Sequence, residues 1–166
     1  VASPPIPTGT DVTTTYTSSW TLESPIFSRR ADQTADHYYY ETIRVVASVI
    51  GTYTFTSNSP INTYGYLYQD QFNPGSSSLK LISEDDDSNG QGQFRITAVL
   101  QPGRKYILVA TTYNSETIGA FSIVSSGPAT LDLDASRILP ASADARAGEY
   151  TIITLPLVQI LTDKCH

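Results

Sequence analysis

The 166-residue sequence contains no methionine, one cysteine, one tryptophan and two histidines. With no Met even at position 1, the expectation is a chain that starts after a cleavage or is a fragment of something longer. Secretion with loss of a signal peptide is the simplest route, since Val1-Ala2-Ser3-Pro4 carries no targeting pattern of its own. The single Cys165 cannot close an internal disulfide, so it is a spare thiol, an intermolecular link or half of a pair completed elsewhere. Charge is sparse: 16% of residues, with 10 Lys and Arg against 16 Asp and Glu, a net −6. That balance supplies no basic field for nucleic acid or an anionic membrane. No apolar run approaches the roughly 18 residues of a membrane span. Asn58-Ser59-Pro60 and Asn114-Ser115-Glu116 both fail as sequons, so any surface sugar is expected to be O-linked.

Catalysis finds little to work with. The histidines are His37 and His166, no Gly-x-Ser-x-Gly elbow is present, and two His and one Cys so placed do not suit zinc. Nothing in the positions of the acids singles out a pair for glycoside hydrolysis. A non-enzyme is expected.

What is abundant is Ser and Thr, 40 of the 166 residues, and Tyr, at 11 the dominant aromatic. Both suit half-buried strands. From Tyr38 onward the pattern alternates. Ile43, Val45 and Ala47 form one set, Tyr53 and Phe55 another, and Tyr64, Tyr66 and Tyr68 share a face opposite Gly65 and Leu67. Phe94, Ile96, Ala98 and Leu100 follow, ended by Gln101-Pro102-Gly103. The near-continuous apolar run from Tyr106 to Ala110 reads as a central strand buried on both faces. Phe121 and Ile123 give one more strand before Gly127-Pro128. Short strands between turn signals predict an all-β, antiparallel β-sandwich. Residues 1–37, rich in Pro, Thr and Ser, read as an extended arm, and 129–166 as further strands that complete the sheet or pair with a neighbour.

Gly51-Thr52-Tyr53-Thr54-Phe55, Tyr66-Leu67-Tyr68, the acidic loop Glu84-Asp85-Asp86-Asp87-Ser88-Asn89-Gly90, Phe94-Arg95-Ile96, the turn from Pro102-Gly103 to Tyr106, and Gly119-Ala120-Phe121-Ser122-Ile123 occur in a telling order. Together, over residues 38–127, they resemble the bacterial pre-peptidase C-terminal domain, a family that includes the collagen-binding modules of clostridial collagenases. The resemblance implies a jelly-roll-like sandwich serving as a non-catalytic module of secreted proteins. It leaves out both terminal segments, and no peptidase is present.

Four features carry candidate chemistry. Asp85-x-Asp87-x-Asn89-Gly90 matches the first positions of an EF-hand calcium loop, but Ile96 stands where the bidentate Glu belongs. A calcium-holding connection (Asp85, Asp87, Asn89) and a plain solvated turn both stay open. Tyr38, Tyr39 and Tyr40 must point to alternate faces, so at least one ring is expected to be exposed for binding. Tyr53, Tyr66 and Tyr106 are expected in the core. The adjacent Arg29-Arg30 admits a dibasic processing site. Finally, Trp20, Ile26 and Phe27 near one end, and Ile152, Ile153, Leu155 and Val158 near the other, are apolar enough to pair with a second copy, with Cys165 as a covalent lock. Folding back on the chain's own sheet is the competing reading. The expectation is a secreted, extracellular module that self-associates into a homo-oligomer or filament. The alternative is a monomeric module binding carbohydrate or a collagen-like protein, with calcium as the one cofactor considered.

Overall fold

The computed structural model describes residues 10–29 and 36–136. Ten strands run in chain order: β1 (Val12–Trp20), β2 (Ile26–Phe27), β3 (Tyr38–Ala47), β4 (Gly51–Asn58), β5 (Thr63–Gln69), β6 (Leu81–Asp85), β7 (Arg95–Leu100), β8 (Tyr106–Thr112), β9 (Gly119–Gly127) and β10 (Leu131–Ala135). They form two antiparallel sheets. One has four strands in the order β1-β9-β4-β7; the other runs β10-β3-β8-β5-β6, with β2 also on β3. No helix long and apolar enough to cross a membrane is found among the described residues.

The main core lies between the sheets. Ile43 pairs with Leu108 and Leu108 with Leu67, a row of inward side chains across three strands. Tyr53, Phe55, Ile96, Phe121 and Ile123 face them from the four-stranded sheet. Each apolar set follows the period-two alternation expected of strands. Gly65 interrupts the inward side chains of β5 for a steric reason: a Cβ there would sit 2.7 Å from the Phe94 ring. Strand β8 is buried at all seven positions, because a second apolar layer covers the outer face of the six-stranded sheet. That layer is aromatic and gathers Phe27, Tyr40, Tyr66, Tyr68 and Phe72 over Ile107 and Val109.

The sandwich begins at β1, so the expected boundary at residue 37 is corrected. Thr14, Tyr16, Ser18 and Trp20 turn inward from an edge strand paired along its length with β9. The prolines rule out a helix there but not a strand, and the indole of Trp20 provides enough apolar surface to anchor the segment. Beyond Pro128, β10 completes the six-stranded sheet on β3. Residues 137–166, and with them Ile152, Ile153, Leu155, Val158, Cys165 and His166, lie outside the described residues.

One edge of β3 is shared by two separate strands. The Tyr40 amide donates to the Pro25 carbonyl beside β2, and the Ser136 amide donates to the Thr42 carbonyl beside β10. The changeover falls between Tyr40 and Thr42, so backbone groups of one strand edge are satisfied from both sides of the sequence.

Candidate functional site

On the outer face of the six-stranded sheet lies a cleft of about 590 Å³. Its floor comes from β5, whose alternation sends Tyr64, Tyr66 and Tyr68 to the same side. Residues two apart on a strand are about 6.8 Å apart. The Tyr64 and Tyr66 rings lean closer, to 4.7 Å between centroids at 20°, and Tyr66 and Tyr68 stand at 6.2 Å and 26°. Tyr38 reaches the cleft from β3, two strands away, and Tyr113 from the loop after β8.

Arg29 fills the space between Tyr38 and Tyr64. Its guanidinium carbon is 4.1 Å from the Tyr38 centroid and 4.3 Å from that of Tyr64. Its Nη1 donates to the Tyr113 carbonyl at 3.0 Å, and Nη2 donates to the Thr112 carbonyl. The result is a continuous stack, Tyr38–Arg29–Tyr64–Tyr66–Tyr68, built from cation–π and offset aromatic contacts. Arg29 Nε is the buried side-chain polar atom left without a partner among the described residues.

The opposite wall is acidic. Glu84 is the register partner of Tyr66 on β6, and Asp86 follows just past that strand. The ion pairs among the described residues join Arg44 to Asp132 and Asp134 on another part of the sheet, so neither wall carboxylate takes part in one. Burial is the main cause that pushes the phenols of Tyr64 and Tyr66 above their ordinary range. For Tyr64 the negative charge of Glu84 adds to the rise and Arg29 opposes it. Both phenols are protonated at neutral pH, as an ordinary tyrosine is, and can donate a hydrogen bond.

The sequence-derived candidates fall in different places. Tyr38 lines the cleft. Tyr40 is buried under Phe27 and Phe72, and Tyr39 packs half-buried against the main core. Tyr38 keeps part of its surface on the cleft, while the covering of both faces of β3 at this end leaves none of the three fully exposed. Tyr53, Tyr66 and Tyr106 are buried as expected, although Tyr66 belongs to the outer layer. Trp20 and Phe27, proposed as contacts with a second copy, are 1% and 4% exposed and belong to the chain's own two cores. Ile26, at 46%, faces solvent.

In the acidic loop, Asp85 Oδ2 accepts the amides of Ser88 and Arg95, and Asp85 Oδ1 accepts the Ser88 hydroxyl at 2.5 Å. Asn89 Oδ1 accepts Arg95 Nη2, and Asp87 is exposed. Asp85 and Asn89 thus hold the β6–β7 connection together. Among the described residues no three His, Cys, Asp or Glu side chains converge as a metal group. His37 contributes its carbonyl, which accepts the Glu116 amide at 2.8 Å.

Arg29, Tyr113, Glu84 and Asp86 were not legible as one site. The shared face of the β5 tyrosines was a signal, but nothing in sequence joins Arg29 to it across three strands. Arg30, the second half of the dibasic pair, lies outside the described residues.

No family model matches the chain, and no curated protein matches it. Among solved structures, the chain is similar to PliG of Aeromonas hydrophila, a periplasmic lysozyme inhibitor of g-type lysozyme. The identity is 14% and the TM-score 0.40, over 75% of this chain and 92% of that one.

Proposed function

We propose that this chain is a secreted, non-catalytic binding module that takes a glycan in the tyrosine cleft. The observation that carries this reading is the cleft itself, about 590 Å³ walled by tyrosines together with carboxylates, hydroxyls and an amide. Its size falls in the range of small-ligand sites. Hydrogen-bonding groups so mixed with rings suit a ligand that presents hydroxyls and C–H faces together, as sugars do. Tyr113 is 45% exposed and offers a ring for such a face, while the Asn114 and Ser115 side chains and the Glu84 carboxylate offer polar partners nearby. The resemblance to non-catalytic modules of secreted proteins agrees with this reading and with an extracellular location.

Self-association through the chain ends loses two anchors, since Trp20 and Phe27 are spent inside the chain. The glycan reading is tested by titrating neutral and charged oligosaccharides into the purified chain by calorimetry, with Tyr113→Ala as the control. Specific saturable binding, weakened about tenfold by Tyr113→Ala at unchanged melting temperature, is the expected result. Absence of binding to every oligosaccharide would sink it, and concentration-dependent polymers in light scattering would restore the assembly reading.

A further inference from the structure

Resting on the glycan reading, we infer that the cleft selects a sugar carrying a protonated primary amine, of the glucosamine class, over neutral or acidic sugars. The wall formed by Glu84 and Asp86 has two carboxylates outside the ion pairs of the described residues. The cation of the cleft, Arg29, is already committed: both terminal nitrogens donate to the Thr112 and Tyr113 carbonyls, and its plane is held between Tyr38 and Tyr64. An anionic sugar therefore meets two negative charges without an uncommitted guanidinium face to offset them. An ammonium is attracted by the two carboxylates that line the cleft, of which Glu84 is the register partner of Tyr66.

The remaining groups favour a sugar ammonium over a bare cation. The Tyr64 and Tyr66 phenols line the cleft and are protonated at neutral and mildly acidic pH, so they can donate to the hydroxyl or ring oxygens of a sugar. A ligand for this cleft must thus bring acceptors on one side and a charged donor on the other. A metal ion brings no acceptors, and no third carboxylate, His or Cys joins Glu84 and Asp86 to hold one among the described residues.

The test is calorimetric titration of the intact chain at about pH 5.5, where model carboxylates are mostly ionised, with the glucosamine tetramer, the N-acetylglucosamine tetramer and cellotetraose. The expected result is a preference of about tenfold for the glucosamine tetramer. Glu84→Gln with Asp86→Asn should bring that ratio close to one, and raising the salt should shrink it in the wild-type chain. Because both substitutions keep the side-chain volume and lie at the sheet margin, a thermal melt of the double variant separates lost recognition from lost fold. Equal binding of all three tetramers overturns the inference while leaving the glycan reading intact, and so does a preference that survives the double substitution. Equally tight binding of a lysine hexapeptide replaces sugar recognition by simple ammonium recognition and overturns it as well. Failure of every tetramer to bind removes the glycan reading itself.

Discussion

Trp20 lies flat on Phe121, with ring centroids 4.1 Å apart at 16°, and its indole N–H donates to the Ala110 carbonyl of the opposite sheet at 3.1 Å. The last residue of β1 thus packs on one sheet and bonds to the other. Trp20→Ala should cost about 3–5 kcal/mol, the usual range for a truncated core aromatic. Trp20→Phe should cost less, about 1–2 kcal/mol, because the stack survives and the hydrogen bond does not. Urea unfolding followed by circular dichroism measures both. An unchanged midpoint for Trp20→Ala would show that β1 is not part of the cooperative unit.

Alkaline pH should destabilise the fold through its buried tyrosines. Burial is the first cause that raises the phenols of Tyr16, Tyr66 and Tyr68, and for Tyr16 the hydrogen bond to Glu41 adds to it. In the unfolded chain these groups ionise near pH 10. Above that value the folded state holds more protons than the unfolded one, so stability falls as pH rises. Their contribution is fully present below pH 10. Absorbance at 295 nm should show an early class of tyrosines, and a late class that ionises only as the far-UV signal collapses. A single smooth titration with the fold intact would refute this.

Asp85 and Asp87 are neighbours in the acidic loop with unequal expected effects. Asp85→Ala removes the acceptor for two amides and a hydroxyl and should lower stability by about 1–2 kcal/mol. Asp87→Ala, at an exposed position, should stay within about 0.5 kcal/mol. The pattern should be the same in chelator and in millimolar calcium. A melting temperature that rises with calcium, and loses that rise in both variants, would assign the loop to calcium binding instead.

Arg29→Lys tests whether the guanidinium plane, not its charge, organises the cleft. A lysine ammonium cannot fill the gap between two rings and also bond two successive carbonyls. A loss of about 1–2 kcal/mol is expected, with a changed near-UV tyrosine signal. Full retention of both would reduce Arg29 to a surface charge.

The strands were legible wherever one face is apolar and the other polar, as in β4 with Tyr53 and Phe55 or β7 with Ile96 and Leu100. The buried run of β8 was legible from composition alone. β6 was hidden because its residues, from Leu81 to Asp85, alternate between half-buried and exposed at a sheet edge and merge into the acidic run. β1 was hidden by its small side chains: hydroxyls face both sides, and Tyr16 and Trp20 alone mark the inward direction. The tyrosine cleft depends on Tyr38 and Tyr64 being placed two strands apart with Arg29 between them. Such a relation belongs to sheet order, which local alternation does not encode.

The division of the β3 edge between β2 and β10 has a mechanical meaning when combined with the course of β1. The Leu131 amide donates to Thr14 Oγ1, and Asp134 acts on Tyr16, so β1 and β10 run alongside one another in the same direction. Val12 therefore stands at one end of the sandwich, and Ala135 lies beside Ile43, midway along β3. Tension applied between them pulls β1 along β9 and β10 along β3, lengthwise to the strands, while the ladder bonds lie across them. The load along each strand is then shared by several ladder bonds at once instead of peeling them singly.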